Sequence, residues 1–238
     1  MARAFRWEGD AAVAHLDELE LEALADGATA VITILGEEPG AAVTGTDAVL
    51  PELSGGPTSS GGASAEDDLH ARFEALTAGL TPSDPELAVD PVDPAELHGG
   101  DPALSRLLPA AHTSDVAAAR DFAALAHDGI RATKVANLRA LVAACERSRE
   151  SGVMALNPRE ARQVMAAFTD VRLVLADRLG IHEDHEAERV DAQTSELIRA
   201  VERGETLSDA DEVALQLGIH HGFVGWMQET LVEALLRH

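Results

Sequence analysis

The sequence is poor in cysteine and in aromatic residues, and it contains no long apolar run. Cys145 is its only cysteine, so an intramolecular disulfide is excluded. Aromatic residues make up 3% of the chain and tyrosine is missing, which leaves Ala, Leu and Val to fill a core of closely packed helices. No stretch of about 18 apolar residues is present, and the start MARAFRWEGD has no signal-like apolar segment. We therefore expect a cytoplasmic protein without a membrane span.

Basic residues are also scarce, because 18 Lys and Arg stand against 42 Asp and Glu for a net charge of −24. Such a charge repels the phosphate backbone of nucleic acids, so we expect any association with DNA to be indirect, through a protein partner. The charge is unevenly distributed. Residues 120–178 hold ten basic and seven acidic residues, a local balance of +3, which leaves −27 for the rest. The pattern predicts a weakly basic helical centre within an acidic envelope.

One segment has the composition of a solvated loop. From residue 36 to residue 101 the chain is rich in Gly, Pro and Ser, and it carries fourteen acidic residues against a single base, Arg72. Such a stretch buries too little apolar area to offset an ordering entropy of about 1–2 kcal/mol per residue. We expect an inserted, largely disordered loop over residues 36–100, with a short helix around 68–76 as the possible exception.

The two flanking parts show regular structure. Phe5 and Trp7 alternate with polar residues before a Gly9-Asp10 turn, which predicts a short β-hairpin. Asp17 is placed to cap a helix that ends at Gly36. Further helix starts are predicted at Asp101-Pro102, at Thr113 or Ser114, at Asn157-Pro158 with Glu160 in a capping box, near 192, at Ser208 and near 221.

Two glycines punctuate the later helices: Gly129 is expected to kink or divide one helix, and Gly180 to end another. The fold class that follows is mainly α, a helical bundle with a short N-terminal β-hairpin. Residues 1–35 and 101–238 are predicted to form its single domain.

Few residues suggest chemistry. His182 and His185 have ligand-type spacing for a transition metal, yet the polar stretch around them is typical of a solvated linker, and we predict no metal and no cofactor. His220 and His221 are interpreted as a polar cap at a helix start. Cys145 lies on an apolar helix stripe and is interpreted as a small buried hydrophobe. The alternative is a redox-sensing thiol whose pKa is lowered by Arg147 or Arg149.

Residues 170–180 alternate charged pairs with apolar residues on one predicted helix. The favoured interpretation is an ion-pair network that sets helix register, in which the arginines contact carboxylates on the same or neighbouring helices. The alternative is a partner-binding surface beside a tryptophan. The candidate residues for either role are Asp170, Arg172, Asp177, Arg178, Trp226, Gln228 and Glu229.

Four segments occur together in a recognisable order: Phe5-Arg6, residues 101–104 (DPAL), residues 170–180 (DVRLVLADRLG) and residues 225–235 (GWMQETLVEAL). In that order they resemble the actinobacterial family called domain of unknown function 2017, whose better-known members are the actinomycete oxidative-stress regulators, AosR. The resemblance covers residues 4–35 and 101–238, and the insert has no counterpart in it.

The resemblance implies a transcription regulator that contacts an alternative sigma factor or RNA polymerase and senses oxidants through an intramolecular disulfide. This sequence departs from that scheme, because Cys145 has no partner cysteine. Sensing would therefore use an intermolecular disulfide or oxidation of the thiol itself, or this branch is not redox-gated. Two other functions stay open: an adaptor or chaperone-like partner in regulated proteolysis, and, ranked last, a metal-dependent enzyme built on His182 and His185.

Overall fold

The computed structural model describes residues 2–36, 101–108 and 116–237, with side chains placed throughout these ranges except at 116–126. The predicted loop and its possible short helix lie outside the described residues, as do the candidate helix caps Thr113 and Ser114.

The N-terminal hairpin is present and belongs to a small antiparallel sheet. Strand β1 (Arg3–Glu8) pairs with β2 (Ala11–His15), and Gly9 takes the positive φ of +64° that the tight turn requires. A third strand, β3 (Val153–Leu156), pairs with the other edge of β2, so that the sheet order is β1-β2-β3. The predicted hairpin is therefore confirmed. Strand β3 was not predicted, because four residues are too few for a recognisable alternation.

Two helices begin as their capping residues predict. In α1 (Glu18–Ile34), the Asp17 carboxylate accepts the Glu20 backbone N–H at 3.0 Å, and the Glu20 carboxylate accepts the Asp17 N–H at 2.8 Å. Asn157 and Glu160 form the same reciprocal pair at the start of α4 (Pro158–Arg178). Each helix stops beside a glycine of positive φ, Gly36 and Gly180, as expected.

Between them lie α2 (Pro102–Leu107), which Asp101 caps as predicted, and α3 (Val116–Ser148). Gly129 was predicted to kink or divide a helix. Division is wrong, because α3 is continuous through Gly129, and the kink stays a prediction. A glycine weakens a helix by only about 1 kcal/mol relative to alanine, and packing of α3 against α1 and α4 supplies the compensation.

The last third of the chain forms an antiparallel pair of long helices, α5 (Asp184–Glu202) and α6 (Asp209–Leu236). Both are longer than the sequence predicted. The polar stretch from His182 to Asp191 was interpreted as a linker, but most of it is helix. The helix begins there because Glu183 and Glu186 form a capping box, in which the Glu186 carboxylate accepts the Glu183 backbone N–H. The two predicted final helices are one, so the interpretation of His220 and His221 as a helix start is wrong. They lie in the middle of α6.

The core lies where α1, α3, α4 and α6 meet the sheet. α4 is its centre, because α1, α2, α3 and α6 all pack against it, while β1 lies on α6. The largest side chains buried there are those of Phe168, Leu21, Leu24, Ile32, Leu138, Leu141, Met154 and Met227. The mainly α fold class is thus confirmed. None of the helices in the three described ranges is both long and apolar enough to cross a membrane.

Candidate partner-binding surface

At the C-terminal end of α4 a group of ion pairs ties α4 to α2. The Arg178 guanidinium lies 2.8 Å from the Asp101 carboxylate and 3.4 Å from Asp177. Arg106 of α2 approaches Asp177 at 3.5 Å and donates to the Ile181 carbonyl at 2.8 Å. The Arg178 guanidinium is also the main reason that the pKa of Asp101 lies below its usual range. The contacts of Asp177 and Arg178 are those expected of residues that hold helix register.

Asp170 is separate from that group and faces α3. Its carboxylate is buried and accepts from the ammonium of Lys134 at 2.5 Å. Burial raises the pKa of the Asp170 carboxyl, and the ammonium of Lys134 only partly opposes the increase. The sequence pattern proposed arginine partners for Asp170, whereas the actual partner is the only lysine of the chain, 36 residues away.

Arg172 joins α4 to α6, and within the described parts of the chain its partner is an amide and not a carboxylate. Its guanidinium lies over Gly225 and donates to the side-chain oxygen of Gln228 at 2.8 Å. The Gln228 amide in turn donates to the Thr169 hydroxyl at 2.6 Å. The prediction of a carboxylate partner is therefore confirmed for Arg178 and wrong for Arg172, because the α6 residue that faces Arg172 at this crossing is an amide.

The binding-surface alternative required both guanidinium groups to project unpaired beside Trp226, and both are instead hydrogen-bonded, Arg178 to Asp101 and Arg172 to Gln228. Trp226 stacks on Phe223 of the same helix, with ring centroids 6.4 Å apart, and 37% of it is exposed. Glu229, one turn further along α6, is exposed as well. Phe223 is partly buried against the core, so Trp226 is the exposed member of the pair. An exposed tryptophan on a surface helix is the type of residue that anchors protein interfaces.

Trp226 belongs to a longer apolar stripe that the sequence analysis did not recognise. Leu215, Ile219, Phe223 and Trp226 follow one another at spacings of four, four and three residues, and these spacings place them on one face of α6. Ile219 is 49% exposed. The pattern was hidden because a helix boundary was placed at residue 221, which split the stripe. A single helix from Ser208 would have shown it.

The surface around this stripe is acidic. α6 carries five acidic residues and no Lys or Arg, and α5 carries six acidic residues and two arginines. The acids of α6 are Asp209, Asp211, Glu212, Glu229 and Glu233.

Cys145 lies in the core and is 1% exposed. Burial raises the pKa of its thiol to about 12, although the positive charge of Arg149 acts in the opposite direction. The interpretation as a small buried hydrophobe agrees with this position, and the alternative of a lowered pKa is wrong. In this conformation the thiol is inaccessible to solvent, and a redox role would require α3 to open first.

Two of the candidate histidines contact charged side chains, and the other two are partly buried within α6. His182 lies 2.5 Å from the Arg106 guanidinium, and His185 lies 3.2 Å from the Glu183 carboxylate. Burial lowers the pKa of both His220 and His221, and the His220 ring touches Gly27 of α1. Among the residues that the structure describes, no three His, Cys, Asp or Glu side chains are grouped so that they could hold a metal ion.

A family model described as a domain of unknown function (DUF2017) matches residues 2–235. The chain belongs to this family. No curated protein and no solved structure matches it. The matched range spans all of the described helices and the sheet except the end of α6.

Proposed function

We propose that this protein is a cytoplasmic, non-catalytic transcription regulator of the AosR type that acts by binding a sigma factor or RNA polymerase in the oxidative-stress response. The observation that carries the proposal is the exposed apolar stripe of α6, with Trp226 and Ile219 open to solvent. Large apolar side chains at adjacent helical positions on a surface are typical of a protein interface. The resemblance to the oxidative-stress regulators supports the identity of the partner.

The charge of the protein supports an indirect mode of action on DNA. With a net charge of −24, the protein gains no attraction to DNA phosphates, so promoter association would come through the partner. Residues 120–178 carry a small positive charge balance, which does not change this expectation. Two of their basic side chains, Lys134 and Arg178, are already paired with carboxylates.

Binding of the purified full-length protein to core RNA polymerase and to individual sigma factors tests the proposal. We expect a complex that Trp226→Ala weakens at least tenfold, since truncation of an interface aromatic residue commonly costs 2 kcal/mol or more. Leu19→Ala is the matched control, because Leu19 is an exposed apolar residue on α1, 76% accessible.

Failure to bind any polymerase component would reject the proposal. Binding to a purified chaperone–protease complex, measured in parallel, would instead support the adaptor function.

A further inference from the structure

A shallow groove lies between the C-terminal end of α5 and the first half of α6. It has a volume of about 460 Å³, and its apolar lining residues are Val201, Leu207, Leu215 and Ile219. Glu205 and Glu212 line it as well. The groove therefore combines an apolar floor with carboxylates at its margin.

The groove continues into the stripe of α6. From Leu215 to Trp226 the helix advances eleven residues, which corresponds to about 16 Å or three turns. A straight apolar track of this length matches the apolar face of a three-turn amphipathic helix, a common ligand of grooves between helices.

Charge decides between the possible occupants. A second copy of the chain would bring α5 and α6, with eleven acidic residues and two basic ones, against the same pair. The chain's own residues 37–100 hold thirteen acidic residues and one arginine. Both would be repelled by Glu212 and by the excess of acidic residues on α5 and α6, although Glu205 itself is paired with Arg203 at 2.5 Å. Lys and Arg residues flanking an apolar face would be attracted.

We propose that this groove and the stripe up to Trp226 receive a basic amphipathic helix from another protein. Apolar residues of that helix at spacings of three and four would lie on Leu215, Ile219 and Trp226. Its basic residues would face Glu212 and the other acidic residues of α6. This inference rests on the proposed function for the existence of a protein partner, and it names the chemistry of the segment that binds.

A synthetic 18-residue helical peptide with Leu and Ile on one face and Lys and Arg on the other provides the probe. The full-length protein carries Trp7→Phe, so that Trp226, the second of two tryptophans, reports binding by its fluorescence. We expect saturable binding at least tenfold tighter than that of a scrambled peptide of equal composition. Replacement of the basic residues of the peptide by glutamate should abolish binding, and added salt should weaken it.

Two serine variants on α6 provide the matched comparison. Ile219, which is 49% exposed, lines the groove, and Val213, which is 56% exposed, lies about 120° away around the helix. The variants Ile219→Ser and Val213→Ser therefore make the same type of change inside and outside the groove. We expect Ile219→Ser to weaken the peptide complex at least tenfold and Val213→Ser to change it less than twofold. Circular dichroism should show both variants folded, because both positions face solvent.

Four outcomes would overturn the inference. Equal binding of the scrambled peptide would reveal unspecific charge attraction, and equal effects of the two serine variants would place the peptide elsewhere. Self-association that Ile219→Ser removes would identify a second copy as the occupant. Finally, the protein could bind polymerase but not the peptide, with the polymerase complex unaffected by Ile219→Ser. That result would refute the groove as the binding site and leave the proposed function intact.

Discussion

Helices α4 and α5 have similar lengths but differ greatly in how much of their surface is buried. α4 buries eight of its 21 residues, among them Phe168, whereas α5 buries only Val190 and Ala200 of its 19. The difference follows from the positions of the two helices. Several elements surround α4, whereas α5 packs mainly on α6 among the described elements. The apolar residues Ile198 and Val201 of α5 remain exposed as a result.

This contrast separates the tasks of the two regions. The helices that pack around α4 form the buried core. Helix α5 and the neighbouring face of α6 instead expose apolar side chains that do not belong to that core. Regions with few buried contacts open locally at a lower free energy than the whole domain. We therefore expect amide hydrogen exchange to be faster in α5 than in α4.

The largest effect is expected from a cavity at the centre of the core. Phe168 is fully buried, so Phe168→Ala should lower the free energy of unfolding by about 4 kcal/mol. Val190→Ala on α5 should lower it by about 1 kcal/mol. Urea unfolding followed by far-UV circular dichroism measures both, and equal losses would show that the two regions are equally important for stability.

The Lys134–Asp170 pair should come next. Lys134→Met leaves a buried carboxylate without its ammonium and should destabilise the domain by about 3 kcal/mol, more than Asp170→Asn does.

The loss should depend on pH in a defined direction. The pKa of Asp170 in the folded protein is raised above its usual 3.8, and the loss of Lys134 raises it further. A group of raised pKa favours the folded state at low pH and loses that contribution as the pH rises. The deficit of Lys134→Met should therefore narrow as the pH falls from about 7 towards 4, and a deficit that widens would contradict this explanation.

A smaller effect is expected where α5 and α6 approach most closely. A Cβ atom at Gly218 would lie 2.1 Å from the Thr194 hydroxyl oxygen, so Gly218→Ala should push the helices apart and cost about 2 kcal/mol. Gly222→Ala is the control, because no atom lies within 4 Å and the added helix propensity should stabilise by up to about 1 kcal/mol. Hydrogen exchange should show faster exchange confined to α5 in the first variant.

The smallest stability effects are expected at the two arginines of α4. Both are exposed, so Arg178→Ala and Arg172→Ala should each lower the free energy of unfolding by less than about 1 kcal/mol. Their partner affinities distinguish the roles. Reduced binding at unchanged stability would assign Arg172, which lies over Gly225 on α6, to the partner surface, and unchanged binding would assign it to the scaffold.

Local signals in the sequence indicated four of the helix starts. Asp17, Asp101, Asn157 and Ser208 each accept a backbone N–H of the first turn, as their side chains predict. Periodicity likewise indicated the buried faces of α1 and α4. These features depend on neighbours along the chain, so they can be derived without knowledge of the fold.

Continuity and pairing depended on the tertiary structure. α3 passes Gly129, and α6 passes His220 and Gly222, because packing energy from neighbouring helices exceeds the small local cost of those residues. Asp170 is paired with Lys134 because α3 and α4 cross at that point, a fact that no spacing along the chain contains. The apolar stripe of α6 was not predicted for the same reason. Leu215 and Trp226 share one face only when the helix is continuous between them.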